Sequence, residues 1–130
     1  MTEQDLTDIE KKLGVSLPGE YRDLMLKRSA ELKKAYGRDT LNIDWQLELR
    51  AKDLIDTNLI ERDNSDITDG WPEWWKTLVI IGEDGGGNYC CLRLDGKPGV
   101  FVIGTDWGDQ EEKVYDSLAE FVEDTLREAE

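Results

Sequence analysis

An α+β fold is predicted for this chain of 130 residues, because its hydrophobic periodicity changes twice along the sequence. Both ends of the chain carry apolar residues at helical spacing. The middle instead holds short apolar runs, which are bounded by glycine, aspartate and proline. The length suits one domain with a modest core, so residues 1–130 are predicted to form a single domain with helices at both ends and a strand-rich centre.

Two helices are predicted near the start of the chain. Thr2 and Asp5 suit a capping box, and Gly14 suits the end of the first helix. Its apolar face consists of Leu6, Ile9 and Leu13. Pro18 suits the first position of the second helix, which Gly37 would close. The apolar stripe of that helix consists of Tyr21, Leu24, Met25, Leu32 and Tyr36.

The centre of the chain is predicted to form the sheet. Residues 41–49 alternate between apolar and polar side chains, as in a strand with one wet face, and residues 51–62 show a weaker helical pattern. The runs "TLVII", "NYCCLRL" and "GVFVI" indicate three more strands, of which the apolar first and third are expected to be covered on both faces. The turn signal Asp95-Gly96 predicts antiparallel pairing of the second and third runs.

The last helix has the clearest signal. Ser117 and Glu120 match a second capping box. The residues that follow on one face are Leu118, Phe121, Val122, Thr125 and Leu126. Because only this face of the helix is continuously apolar, we expect Leu118, Phe121, Val122 and Leu126 to be buried against the sheet.

Charge dominates the composition, with 30 acidic against 16 basic residues and a formal net charge of −14. Such a surface repels nucleic acid and anionic membranes and attracts basic proteins, although solvation alone would also account for it. The chain shows neither the start of a signal peptide nor an apolar segment long enough to span a bilayer. Cys90 and Cys91 are neighbours in one strand and must face opposite ways, which favours buried thiols over a bridge. These features predict a cytoplasmic protein.

The sequence offers little for catalysis or cofactor binding. It contains no histidine, the usual general base and the most frequent metal ligand. The glycine-rich stretch "GEDGGGNY" lacks the lysine and hydroxyl of a phosphate-binding loop, and a strand rather than a helix follows it. Neither this stretch nor "RDNSDITDG" has the oxygen spacing of an EF-hand calcium loop. We predict a hairpin connection here, and no catalytic residue, cofactor or metal site. Carboxylate pairs could still perform acid–base chemistry, but nothing singles one out.

Five segments that together span nearly the whole chain share one further property. They are "IEKKLGVSLPGEYRDLM", "WPEWW", "GEDGGGNYCCLRL", "GVFVIGTDWG" and "SLAEFVED". In this order they resemble the SUKH superfamily and, within it, the Smi/Knr-like branch. Two features depart from the family pattern: Asn88 and Arg93 stand where aspartates are frequent, and the second helix continues where a double glycine is common. We therefore assign to Asn88 and Arg93 no role that would need a carboxylate.

The resemblance implies helices packed around a curved, mainly antiparallel sheet. It also implies a protein that binds others: bacterial members look like immunity proteins that neutralise a cognate toxin by occlusion, and eukaryotic members act as regulatory or scaffolding proteins. The first hypothesis is therefore an immunity protein with a basic toxin partner, for instance a nuclease. A non-catalytic scaffolding module is the alternative, and an enzyme using carboxylates is a third.

The predicted partner-binding residues lie at the glycine-rich turn, after the "GVFVI" strand and in the tryptophan segment. If the last two strands pair as predicted, the end of the "GVFVI" strand lies beside Asn88, and the two acidic segments form one anionic edge. Of the tryptophans, Trp74 and Trp75 are adjacent, so at least one is expected to reach the surface even if the others join the core. The full set is Glu83, Asp84, Asp106, Trp107, Asp109, Glu111, Glu112, Trp74 and Trp75.

Overall fold

The computed structural model describes residues 1–37, 45–63, 78–84, 88–104 and 108–128, and for residues 62–63, 104 and 108–112 it describes the backbone alone. The described part of the chain contains four helices and five strands. In chain order these are α1 (Glu3–Leu13), α2 (Gly19–Tyr36), β1 (Gln46–Leu47), α3 (Ala51–Asp63), β2 (Leu78–Glu83), β3 (Asn88–Arg93), β4 (Val100–Gly104), β5 (Gly108–Tyr115) and α4 (Leu118–Glu128).

The strands form one curled sheet in the order β1-β2-β3-β4-β5, and every neighbouring pair is antiparallel. The predicted α+β class, with helices from both ends of the chain flanking an antiparallel sheet, is confirmed. The hairpin predicted at Asp95-Gly96 is also confirmed, since Cys91 pairs with Phe101 across β3 and β4. Gly96 has a φ of 91°, a left-handed conformation that glycine adopts without a steric penalty.

The two N-terminal helices begin and end close to the predicted residues. The Thr2 hydroxyl accepts a hydrogen bond from the Asp5 backbone N–H at 3.1 Å, and the Asp5 carboxylate accepts one from the Thr2 N–H at 2.9 Å. The capping box is therefore present, and Gly14 ends α1 in the left-handed conformation with a φ of 67°. The prediction for Pro18 was off by one residue: with a ψ of 142° it is extended and caps α2, which begins at Gly19.

The main core lies between the helices and one face of the sheet. Helices α1 and α2 contribute Leu6, Ile9, Leu13, Tyr21, Met25 and Leu32, and the sheet contributes Val79, Ile81, Cys90, Leu92 and Val100. The opposite sheet face carries a second buried cluster, which consists of Leu78, Ile80, Cys91, Phe101 and Ile103. Cys90 and Cys91 are therefore buried on opposite faces as reduced thiols, as predicted.

Helix α4 matches its prediction with two differences. The Ser117 hydroxyl accepts a hydrogen bond from the Glu120 N–H at 3.2 Å, but the Glu120 carboxylate accepts from Asp116 rather than from Ser117. Buried positions are Leu118, Phe121, Val122 and Thr125, whereas Leu126 is only partly buried. Leu126 is therefore less buried than predicted. Helical spacing of three to four residues centres the buried face on Thr125 and leaves Leu126 at its margin.

Two strands differ from expectation. Within the described residues 45–49, strand β1 consists of Gln46 and Leu47 alone, although the Glu48 N–H also donates to the Ile81 carbonyl at 2.8 Å. Strand β1 is therefore much shorter than the alternating pattern indicated. Strand β5, with the sequence GDQEEKVY, was not predicted at all. Its acids are poor strand formers, and its extended state follows from pairing with β4. None of the described helices combines the length and apolarity needed to cross a membrane.

Candidate functional site

The glycine-rich turn after β2 is closed by Asp84 and Asn88. The Asp84 N–H donates to the Asn88 carbonyl at 3.2 Å. In return, the Asp84 carboxylate accepts one hydrogen bond from the Asn88 N–H at 3.2 Å and one from its side-chain amide at 2.9 Å. An aspartate at position 88 would replace the side-chain amide donor with a second carboxylate beside Asp84 and leave only the backbone N–H of these two donors. The departure from the family pattern at Asn88 therefore has a local structural role.

Gly82, the first glycine of this stretch, allows β1 and β2 to approach closely. A Cβ atom at this position would lie 2.7 Å from the Cys90 sulfur and would also collide with the Gln46 carbonyl oxygen. Gly82 pairs with Leu47 on one side and with Cys90 on the other. Close backbone approach therefore requires glycine at this position, and residues 85–87 lie outside the described part of the chain.

The strand register brings the predicted acidic segments to the same end of the sheet. Asn88 pairs with Gly104, and Gly104 pairs with Gly108, so β3 and β5 start where β2 and β4 end. The expected proximity of Gly104 and Asn88 is confirmed. Three strand spacings separate β2 from β5, which is roughly 14 Å at ~4.8 Å per spacing. Acids on β2 and β5 would therefore form a band across the sheet end rather than a point charge.

The predicted partner-binding residues are only partly within the described chain. Glu83 is exposed at the end of β2, and Asp84 is partly buried in the turn. Asp109, Glu111 and Glu112 lie on β5, where the backbone alone is described, and Glu112 pairs with Val102. The remaining predicted contacts lie outside the described residues, namely Asp106, Trp107, Trp74 and Trp75. That these nine residues form one interface stays a prediction.

A cleft of about 470 Å³ opens beside Glu83, between α3 and the edge of the sheet. Among the described residues, its acidic lining consists of Glu48, Asp53, Asp56 and Glu83, and its one base is Arg50. We call it the α3 cleft. Nothing in the sequence indicated it, because Glu48, Asp53 and Asp56 are ordinary acids until the chain places α3 beside β2.

One wall of the α3 cleft is fixed by a hydrogen bond between a tyrosine and a buried acid. The Tyr89 hydroxyl donates to the Glu61 carboxylate at 3.0 Å, and Glu61 is only 8% exposed. Burial, the bond to Glu61 and the nearby Glu83 raise the pKa of Tyr89 to about 12. The hydroxyl therefore stays protonated at neutral pH and acts as a donor that anchors β3 to α3.

The thiol of Cys90 is not activated for catalysis or metal binding. Burial raises the pKa of the Cys90 thiol to about 12, and a thiol that stays protonated is a poor nucleophile and a poor metal ligand. Within the described ranges, no three Cys, Asp or Glu side chains are grouped closely enough to hold a metal ion. The feature that stands out among the described residues is instead the charged lining of the α3 cleft.

Comparison with known proteins identifies the family. No curated protein matches this chain. The model of the SMI1/KNR4 family (SUKH-1) matches residues 1–124, a span that holds all five strands and three complete helices of the described structure. It also holds the Gly82–Tyr89 stretch and every acid that lines the α3 cleft. On this match over nearly its whole length, the chain belongs to the SMI1/KNR4 family (SUKH-1).

Proposed function

We propose that this protein is an immunity protein, which binds a cognate toxin and neutralises it by covering the toxin's functional surface. The family match over residues 1–124 carries the proposal, since the resemblance to bacterial members implies this role. The protein then needs a stable binding surface and no catalytic group of its own. The buried, protonated thiol of Cys90 is consistent with a protein that uses no catalytic thiol. The exposed carboxylate of Glu83 is consistent with a binding surface.

The charge of the chain supports a basic partner. A formal net charge of −14 creates a negative field that accelerates the approach of a cationic protein. Toxins that act on nucleic acids carry positive surfaces for their own substrates. An acidic protein that covers such a surface would block substrate entry, which is inhibition by occlusion. The acids at the sheet end, together with Trp74, Trp75 and Trp107, remain the proposed contacts.

The test begins with the gene upstream of the one that encodes this chain. Its product should contain a toxin domain, and co-expression of this chain should restore growth to cells that express that domain. The purified proteins should form a one-to-one complex by size-exclusion chromatography with light scattering. An unrelated acidic protein of similar net charge serves as the control for non-specific association. If no neighbouring product is toxic and none binds, the proposal is wrong and the scaffolding alternative takes its place.

A further inference from the structure

The α3 cleft has an unsatisfied negative charge. Its described lining holds four carboxylates and one guanidinium, a formal surplus of three negative charges. Asp56 and Glu83 form no ion pair within the described part of the chain. Like charges gathered in one concave site repel one another, and a concave low-dielectric wall focuses their field outward. The α3 cleft is therefore suited to a cation.

Arg50 shows what kind of cation the site accepts. Its Nε lies 3.1 Å from the Glu48 carboxylate and 2.9 Å from the Asp53 carboxylate. Both contacts use Nε, and the side chain is 78% exposed, so the pair is of the weak surface kind. A partner's guanidinium could displace it and use two nitrogens at once, which is the stronger geometry for a carboxylate. Arg50 occupies the α3 cleft as a replaceable internal cation.

An exposed apolar residue borders the same acids. Ile60 lines the α3 cleft and is 61% exposed, the most exposed of the large apolar side chains in the described residues. Its neighbour Leu59 is 39% exposed. An apolar side chain beside a charged cleft is a frequent arrangement in protein interfaces, where apolar contact gives affinity and charge gives orientation. Helix α3 thus presents an apolar anchor point and a cation site together.

We propose that the α3 cleft is the docking site for a basic segment of the partner protein. One arginine of that segment enters among Glu48, Asp53 and Glu83, displaces Arg50, and places a neighbouring aliphatic residue on Ile60. This inference rests on the proposed function for the identity of the partner, a basic toxin. It adds a second contact surface, which meets the predicted sheet-end acids at Glu83.

The cation site is tested first without a toxin. The uniformly ¹⁵N-labelled protein is titrated with the peptide Ac-Arg-Leu-Arg-NH₂, and Ac-Glu-Leu-Glu-NH₂ serves as the control. The largest amide shifts are expected at Asp56, Ile60 and Glu83, and they should weaken as salt is raised. No shifts, or shifts distributed evenly over the exposed acids of α1 and α4, would overturn the proposal.

A matched pair of variants separates the α3 cleft from the overall charge. Arg50→Gln and Lys52→Gln each remove one positive charge, but only Arg50 lines the cleft. Arg50→Gln removes the competing cation and is expected to tighten peptide binding about threefold to fivefold. Lys52→Gln changes only the long-range field and should have little effect. Equal effects of the two variants would overturn the proposal.

The apolar contact is tested with Ile60→Ser and, as its control, Leu26→Ser on α2, where the parent leucine is 37% exposed. Ile60→Ser is expected to raise the dissociation constant of the peptide about fivefold, and Leu26→Ser to leave it unchanged. Circular dichroism and thermal unfolding show whether both variants fold. Equal loss in two folded variants would contradict a specific role for Ile60.

Failure of this inference differs from failure of the proposed function. If the upstream toxin domain binds but Ile60→Ser and Asp56→Asn leave its dissociation rate unchanged, the function stands and the docking site is wrong. If no toxin domain binds while Ac-Arg-Leu-Arg-NH₂ still perturbs Ile60 and Glu83, the α3 cleft is a site for basic segments and the immunity function is wrong.

Discussion

The side chain of Asn58 completes the sheet at Ile80. Its Nδ2 donates to the Ile80 carbonyl at 2.9 Å, and its Oδ1 accepts from the Ile80 N–H at 2.8 Å. Strand β1 pairs with Gly82 and Glu83, and the Glu48 N–H after it donates to the Ile81 carbonyl, so this backbone contact ends before Ile80. The amide of Asn58 thus replaces the peptide group that a longer strand would supply. It protects an exposed strand edge and fixes α3, and with it the α3 cleft, to the sheet.

Replacing Asn58 is expected to destabilise the protein strongly. Asn58 is 1% exposed, and its Nδ2 also donates to the Leu54 carbonyl at 2.8 Å. Asn58→Ala leaves the Ile80 groups without this partner, and we expect a loss of about 1–3 kcal/mol in the free energy of unfolding. Lys52→Ala, at an exposed position of α3, is the control and should stay within about 0.5 kcal/mol. Urea denaturation measures both, and equal effects would show that Asn58 contributes nothing beyond helix propensity.

Replacing Gly82 with any larger residue is expected to destabilise the protein. Gly82→Ala would place a methyl group against the Cys90 sulfur and the Gln46 carbonyl, which is backbone and cannot move aside alone. A loss of about 1–3 kcal/mol is expected from the forced displacement of β1. Gly19→Ala is the matched control: no atom lies within 4 Å of the position that its Cβ would take, and alanine suits the first turn of α2. The two variants should therefore change stability in opposite directions, and similar changes in urea denaturation would refute the role of close packing at Gly82.

Phe121 is expected to contribute more to stability than any other residue of α4. It is 2% exposed, and its ring meets Tyr115 edge-on with the ring centroids 5.0 Å apart. Phe121→Ala should lower the free energy of unfolding by about 3–5 kcal/mol, because it would leave a cavity in the main core. Arg127→Ala, on the exposed side of α4, is the control. A loss below about 1 kcal/mol in Phe121→Ala would mean that α4 is peripheral to the fold.

Stability is expected to fall at alkaline pH, beginning with Cys90. Its pKa rises from 9.0 to about 12 in the folded protein, because burial disfavours the thiolate. The unfolded chain then loses this proton first, so stability is intact below pH ~8.5 and declines as pH rises toward 12. The tyrosines add to the decline only above pH ~10. Denaturation at pH 8.5 and pH 10 should show a shallower pH slope for Cys90→Ala than for the parent protein. Parallel slopes would contradict this assignment.

Local signals in the sequence predicted most of the fold. Short-range contacts determine both ends of α1, through Thr2 and Asp5 at its start and Gly14 at its end. The hairpin is likewise determined locally, by Asp95-Gly96. Such local signals can be recognised in the sequence itself. The placement of Cys90 and Cys91 on opposite faces of the sheet could be predicted, because successive side chains of a strand alternate between the two faces. Strand β5 could not be predicted in this way. Its acid-rich residues gain their hydrogen bonds from β4, and only the three-dimensional pairing makes them a strand.

The candidate site was less accessible from the sequence than the fold. The register of Asn88 with Gly104 followed from the predicted hairpin, so the acids of the glycine-rich turn and of β5 could be placed at one sheet end. The α3 cleft depends instead on how α3 meets β2, and that contact rests on Asn58, a polar residue in a weak helical pattern. A buried asparagine looks like any surface asparagine until its partner is known.

The β5 acids and the α3 cleft should affect different rate constants of toxin binding. The double substitution Glu111→Lys and Glu112→Lys reverses two charges on β5. We expect the variant to fold normally and to associate with the toxin about tenfold more slowly at low salt. The difference should vanish near 1 M salt, where the Debye length is ~3 Å. Ile60→Ser removes a short-range contact and should instead speed dissociation at every salt concentration. Surface plasmon resonance with the cognate toxin measures both constants. An unchanged association rate in the β5 variant at low salt would place the steering surface elsewhere on the protein.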